Sequence, residues 1–280
     1  MTANYTIDFA NGESCVLEFD PSKHEYRLSD SGEVIPSATQ ILGIIAKPGL
    51  IYWAALEGSK YFKRSVAEVN VFKEESVYNP VYTFGDKSID DVAKGIANAH
   101  SKAANDAAGI GSTVHNFIEK CVKFNVDENE APFAGKWPIM PENEQAQKSI
   151  SAFFDWHKSN NVKWISSEEK VMHPQLKYAG TVDAIAEVND EFCVIDFKTS
   201  SKVYPEHHMQ CAAYAKAVEL IYDRVVDCTY VLRFDKKTGK HHVHRSDRIG
   251  EDFVAFRAAM VLDQRLKGSA RGKRKRKIND

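Results

Sequence analysis

Residues 179–214, AGTVDAIAEVNDEFCVIDFKTSSKVYPEHHMQCAAY, carry the clearest alternation of apolar and polar positions in the chain. Two apolar runs flank Asn189-Asp190, a polar dipeptide of the kind that closes two-residue β-hairpin loops. Setting Val188 against Glu191 and counting outward predicts that Asp183 lies opposite Asp196. Lys198 then falls on the same face, two residues further on. Nearer the turn that face holds Ile185, Val194 and Phe192, so it is apolar at the turn and charged at its open end. Cys193, Ile195 and Phe197 point to the opposite face and read as core.

The rest of the pattern predicts a mixed α/β (α+β) fold, with a central mixed β-sheet flanked by helices. Residues 4–35 read as short strands broken at Asn11-Gly12, Asp20-Pro21 and Asp30 to Gly32, an N-terminal set of β-hairpins. Ser37 can cap a helix ending at Lys47-Pro48-Gly49, and a longer helix is expected over about residues 50–69. The aromatic residues of that helix, Tyr52, Trp53, Tyr61 and Phe62, suit packing or base stacking. Residues 73–87 read as a loop. An alanine-rich helix from Ser88 is expected to stop near Gly109-Ile110-Gly111, where Ser112 would cap a new helix. That helix has Val114, Phe117, Ile118, Cys121 and Val122 as its apolar stripe, and His115 and Glu119 share another face at i, i+4 spacing.

Residues 125–142 read as a proline-containing loop, followed by a helix over 143–158 and a strand at 162–173. Pro205 opens a helix that places Gln210 and Tyr214 on one face. The strand VVDCTYVLRF, a Lys-Thr-Gly turn, KHHVHRS and a final helix over about 249–267 complete the chain. The domain division expected is 1–110 as an N-terminal hairpin and helical elaboration, 111–268 as the core, and 269–280 as a basic tail.

Composition narrows the picture. A hydrophobic fraction of 43% and a charged fraction of 27% are ordinary for a globular chain of 280 residues. The net charge is −2, yet residues 271–280 hold six Lys/Arg against one Asp, leaving −7 on the other 270 residues. A polyanion-binding role would therefore rely on the tail, Arg271, Lys273, Arg274, Lys275, Arg276 and Lys277, and on a local groove. The alternative is a solvated end that aids solubility. The five cysteines are scattered without a C-x-x-C pair, which fits a reducing compartment and disfavours a structural zinc or iron–sulfur site. No secretory signal or long apolar span is visible, so a cytoplasmic protein without membrane partners is expected.

Two carboxylates opposed in a sheet repel unless something compensates. One compensation is a divalent cation. Two carboxylates and a main-chain carbonyl, that of Phe197, suit Mg²⁺ or Mn²⁺, which prefer oxygen and keep several waters. Such an ion acidifies bound water and stabilises charge on a phosphoryl oxygen, and Lys198 would orient that water or add charge. The other compensation is a plain Asp/Lys salt bridge on an exposed sheet.

Gly180-Thr181-Val182-Asp183, then Ile195-Asp196-Phe197-Lys198-Thr199, then Gln210-x-x-x-Tyr214, resembles the PD-(D/E)XK nuclease superfamily. Gly111-x-x-x-His115 upstream is similar to its RecB-type branch, which includes exonucleases of mitochondrial genome maintenance and of phages and bacteria. Pro36-Ser37-Ala38-Thr39-Gln40-Ile41-Leu42 resembles an N-terminal element of that group. The resemblance implies that His115, Asp183, Asp196 and the Phe197 carbonyl bind Mg²⁺ or Mn²⁺ and that Lys198 is catalytic. Gln210 and Tyr214 would orient it or contact substrate, with Glu119, Glu168 and Ser37 as supporting candidates. One subgroup, the CRISPR-adaptation nucleases, adds an iron–sulfur cluster through a cysteine set that this spacing lacks, so none is expected.

The implied activity is a metal-dependent DNA exonuclease preferring single-stranded ends. Residues 37–110 would thread the strand, and replication or recombination proteins would be partners. A structure-selective or duplex endonuclease and a non-catalytic DNA-binding module are the alternatives. Deleting residues 271–280 should weaken DNA binding and flatten its salt dependence, because fewer counterions are released. A titration over a salt series checks this, and an unchanged slope assigns the tail to solubility.

Overall fold

The computed structural model describes residues 2–45, 47–66, 87–128 and 138–278. The elements in order are β1 (Ala3–Asp8), β2 (Ser14–Asp20), β3 (Glu25–Leu28), β4 (Val34–Ile35), α1 (Ala38–Leu42), α2 (Pro48–Val66) and α3 (Ile89–Glu128). There follow α4 (Glu144–Lys158), β5 (Val162–His173), β6 (Tyr178–Val188), β7 (Glu191–Lys198), α5 (Pro205–Tyr222), β8 (Cys228–Phe234), β9 (His241–Ser246) and α6 (Ile249–Ile278). By density of contacts, Met1–Ile45 joins Gly111–Asp280 in one compact unit, and Ala46–Ile110 forms a second. The N-terminal strands therefore belong with the central sheet, whereas the expected division grouped them with the helices. Tertiary pairing between distant segments decides this, and local pattern does not record it.

The central sheet has the order β5-β6-β7-β8-β9 and is mixed, as expected: β7 runs antiparallel to β6 and parallel to β8. The hairpin turns where the pattern places it. Asn189 and Asp190 both take positive φ, 50° and 70°, and Val188 pairs with Glu191. Both central residues of a type I′ turn need that conformation, which Asn and Asp tolerate best among residues with a side chain. The parallel β7–β8 pair needs a long crossover, and α5 supplies it, with Pro205 in its first turn. The smaller sheet β1-β2-β3-β4 is an antiparallel meander whose turns use Gly12 (φ 84°) and Gly32 (φ 68°).

Each face of the central sheet is covered. On one, α5 packs Ala213, Ala217 and Val218 against Ile185, Phe192 and Val194, joined by α1 and by Phe256 of α6. On the other, Phe153 and Trp156 of α4 meet Trp164, and Phe153 also meets Phe197 and Phe234. α1 is a short helix with a full capping box: the Gln40 N–H donates to Ser37 Oγ, and the Ser37 N–H to Gln40 Oε1.

Four expectations about helices are corrected. α1 stops at Leu42 and does not reach Lys47-Pro48-Gly49. α3 does not break at Gly109-Ile110-Gly111; it is one helix of 40 residues, and Ser112 lies inside it. Glycine costs a helix about 1 kcal/mol but does not end it, and the alanines before the glycines and the buried Val114, Phe117, Ile118, Cys121 and Val122 after them carry it through. α3 also runs to Glu128, into the stretch read as loop. α6 continues past residue 267 to Ile278. The backbone of 271–278 is thus helical, while the side chains of the basic tail, like residues 67–86 and 129–137, lie outside the described residues.

Gly180 of β6 passes directly beneath Tyr214 of α5. A Cβ there would come within 2.3 Å of Tyr214 Cε1, so the strand and helix approach only because the position has no side chain. Gly180→Ala should destabilise the protein by about 1–3 kcal/mol through overpacking. Adding Tyr214→Ala should cost less than the sum of the two single changes, as measured by denaturant unfolding of all three variants.

Candidate active site

The two strands that carry the opposed aspartates stay paired only as far as Ala184 and Ile195. One residue beyond, β6 and β7 separate. Asp183 fills the place of the next ladder bond with its side chain: the Phe197 N–H donates to Asp183 Oδ2 at 2.7 Å. On its far edge the freed half of β6 is met by the segment entering α1, where the Ala179 N–H donates to Pro36 O at 3.0 Å and Ser37 bridges to Ala179. The site therefore lies where the two strands part, at the carboxyl ends of the parallel pair β7 and β8 and beside the start of α5. Ligands of open α/β sheets commonly lie in this position.

Asp196 is buried, 2% exposed, and Lys198 is its counter-ion. Lys198 Nζ donates to Oδ1 at 2.6 Å and lies 2.5 Å from Oδ2, so the ammonium touches both carboxylate oxygens. Burial pushes the Asp196 carboxyl up, toward the neutral acid, against the pull of Lys198. Burial would also push Lys198 down, but the Asp196 and Asp183 carboxylates outweigh it and hold the ammonium above its usual range. These tendencies disagree about where the shared proton rests. The short contacts to both carboxylate oxygens fit the ion pair, so Lys198 is read as ammonium and Asp196 as carboxylate.

His115 projects from α3 to Asp183, with Nδ1 3.7 Å from Oδ2, and its ring sets an edge against Phe197 at 6.3 Å between centroids. Gly111, one turn earlier, brings the helix close to the end of β7, since a Cβ there would lie 3.1 Å from Thr199 Oγ1. Glu168 stands across from Asp183, between the paired positions Ser167/Ala184 and Glu169/Val182. Its backbone is left-handed, φ 54°. Burial, then the nearby Asp183 carboxylate, push its carboxyl up to about 7, with Lys170 and His115 opposing. Glu119 pairs with Lys123 at 2.5 Å on the same helix and adds to the negative charge felt by Glu168. Gln210 Nε2 donates to the Tyr214 hydroxyl at 3.0 Å, both being buried, so the two act as one unit beneath the site.

The structure thus brings together His115, Glu168, Asp183, Asp196, Phe197 and Lys198, with Gln210 and Tyr214 packed close by. Ser37 spends its hydroxyl capping α1 and contacting Thr39, so its part is to anchor the segment that lines β6. Pattern did not point to Lys170. It lies two residues from Glu168 and donates to that residue's main-chain carbonyl at 3.1 Å. In the sequence it is one charge in an alternating strand, and its setting comes from a sheet more than a hundred residues away.

Among the described residues no three His, Cys, Asp or Glu side chains are grouped so that they could hold a metal ion as they stand. What is present is an open donor set of two carboxylates close to Lys198, that of Asp196 buried and ion-paired with it. That set fits a hard cation that keeps most of its coordination as water, the habit of Mg²⁺ and Mn²⁺.

A sequence profile of the PD-(D/E)XK nuclease superfamily matches residues 91–272, well over half of the chain. The chain is also similar to mitochondrial genome maintenance exonuclease 1 of Xenopus tropicalis, with 36% identity over 90 residues. The proteins of that name from Mus musculus and Homo sapiens match over 88 residues, at 35% and 33% identity. Each alignment covers 29% of this chain and 26% of the relative, so the chain matches about a quarter of those proteins' length. Nucleases of this superfamily generally use divalent metals. The profile match spans β5 to β9 and the helices that carry His115, Gln210 and Tyr214, and the chain belongs to the PD-(D/E)XK nuclease superfamily.

Proposed function

We propose that the protein is a Mg²⁺- or Mn²⁺-dependent DNA exonuclease that works from ends of single-stranded DNA, in replication, recombination or repair. The observation that carries the metal-dependent chemistry is the buried Asp196, ion-paired with Lys198, beside Asp183, whose Oδ2 accepts the Phe197 N–H and lies 3.7 Å from His115 Nδ1. The end requirement is supported by the word exonuclease in the names of the three relatives. The single-strand preference is assigned to α2 and the first part of α3, where Tyr52 of α2, 75% exposed, suits stacking against unpaired bases.

In this reading Asp183 and Asp196 hold the cation, with His115 and the Phe197 carbonyl as further ligands. When bound, the ion supplies an acidified water and a positive charge at the phosphoryl oxygens. The chain's own groups do the remainder. Asp183 is fixed by the Phe197 N–H, so it does not swing when the charge around it changes. Lys198, an ammonium within 2.6 Å of Asp196, carries its protons already; it stabilises charge building on the phosphate rather than abstracting a proton. Gln210 and Tyr214 keep α5 seated on Gly180, which holds the floor under Lys198.

Digestion of 5′-labelled, 3′-labelled and circular DNA, single- and double-stranded, with Mg²⁺, Mn²⁺ or EDTA tests activity, polarity and end requirement together. Linear single strands should be degraded, circles should stay intact, and EDTA should abolish cleavage. Equal cutting of circles would favour the endonuclease reading. Asp196→Asn and Lys198→Ala should each lower kcat by roughly 10²–10³-fold or more. Lys198→Ala also strands a buried carboxylate, so added Mg²⁺ should raise its Tm at least as much as that of the unaltered protein, while Asp196→Asn should lose most of that response.

A further inference from the structure

The N-terminal sheet reaches the nuclease centre through one side chain. Lys170 of β5 is 9% exposed, and its ammonium lies 5.3 Å from the ring centroids of both Tyr5 of β1 and Phe19 of β2. Its carboxylate neighbour, Glu168 Oε2, is 4.0 Å away, too far for a hydrogen bond. The bond it does make is to the Glu168 main-chain carbonyl, at 3.1 Å. The same sheet grips the neighbouring position: Tyr26 of β3 shares a hydrogen bond of 2.7 Å with Thr181 Oγ1, and Thr181 is the ladder partner of Lys170. Phe19 and Tyr26 stack on each other at 4.7 Å, so the aromatic enclosure is a single rigid piece.

A methionine or leucine would fill a box of two aromatic rings without the cost of burying a charge. What an ammonium adds is its charge, over both rings and 4.0 Å from Glu168 Oε2, and one directed hydrogen bond, which goes to the residue whose backbone departs from the strand. Glu168 has φ 54°, a conformation unfavourable for a side-chain-bearing residue and kept only where the surroundings fix it. That residue stands across the ladder from Asp183. We propose that Lys170, held in the aromatic enclosure of the N-terminal sheet, is a positioning residue that fixes Glu168 as a third carboxylate of the nuclease centre. The small sheet is then one wall of the site rather than a separate module, and its task is to set how firmly the centre holds a divalent cation. This inference rests on the metal-dependent reading above.

The test uses Mn²⁺ as probe, with free ion counted by its EPR signal, alongside kcat and KM on linear single-stranded DNA. Lys170→Met keeps the stem in the enclosure and removes the bond. It should weaken Mn²⁺ binding by about ten-fold, the usual effect of losing a group that orients a ligand set. kcat at limiting Mn²⁺ should fall with KM for DNA unchanged, and Lys170→Arg should restore most of the loss. Glu168→Gln should weaken Mn²⁺ binding similarly, and the double variant should be no worse than either single one. Phe19→Leu, which loosens the enclosure from the other sheet, should reproduce the effect in milder form and serves if Lys170→Met does not fold. Mn²⁺ binding unchanged in Lys170→Met, or in Phe19→Leu where that variant stands in, overturns the inference. So does strict additivity with Glu168→Gln. Should the unaltered protein bind Mn²⁺ yet cleave no DNA, the nuclease reading fails while the binding cycle still decides the role of Lys170. Should it bind no Mn²⁺, both fall.

Discussion

A carboxylate and an ammonium taken out of water together constrain everything around them. Asp196 and Lys198 alternate with Phe197 along β7, so the strand must present two charges to one face and a large ring to the other. The ring is gripped by Phe153, Trp164 and Phe234, which fixes the strand's rotation and with it the direction of both charges. Burying such a pair does not by itself stabilise a fold; well-packed apolar residues often do as well or better. Its retention in a sheet this well packed makes sense as chemistry, where a charge must be held at a set place before substrate arrives. The divergence of β6 from β7 at Asp183 serves the same end, because it opens room beside the pair while the Phe197 N–H stays satisfied by the Asp183 carboxylate.

Much of this was legible in the chain, and the reasons are physical. The hairpin register follows from a two-residue polar turn between apolar runs, and Pro205 marks the start of α5 by a conformational preference that belongs to proline itself. Asp183, Asp196, Lys198, His115, Gln210 and Tyr214 were marked by order and spacing, and the fold gathers them. The count along the ladder was right to within its last step: pairing ends at Ala184 and Ile195, and only the side-chain bond of Asp183 explains where the next N–H goes.

What was not legible depends on partners far along the chain. Gly109-Ile110-Gly111 reads as a helix break because glycine is a weak helix former, yet Gly111 is where α3 must lie close to Thr199. The membership of the first strands in the nuclease unit comes from Tyr26, Pro36 and Lys170 meeting groups that no local pattern links to them. Lys170 itself looks like a solvated charge until the rings of Tyr5 and Phe19 are in place. Local rules read periodicity and turns well; they are silent on which charge ends up buried.

The meeting of Pro36 with Ala179, and of Tyr26 with Thr181 across 155 residues, also bears on when the protein becomes active. Contacts of such sequence separation form late, since the loop between them must close before they return any stabilisation. The first strands leave the ribosome long before β5 and β6 exist to receive them. Until that docking, the freed edge of β6 is bare and the centre lacks one of its sides. The groups gathered around Asp183 are thus enclosed only when both ends of the fold are present.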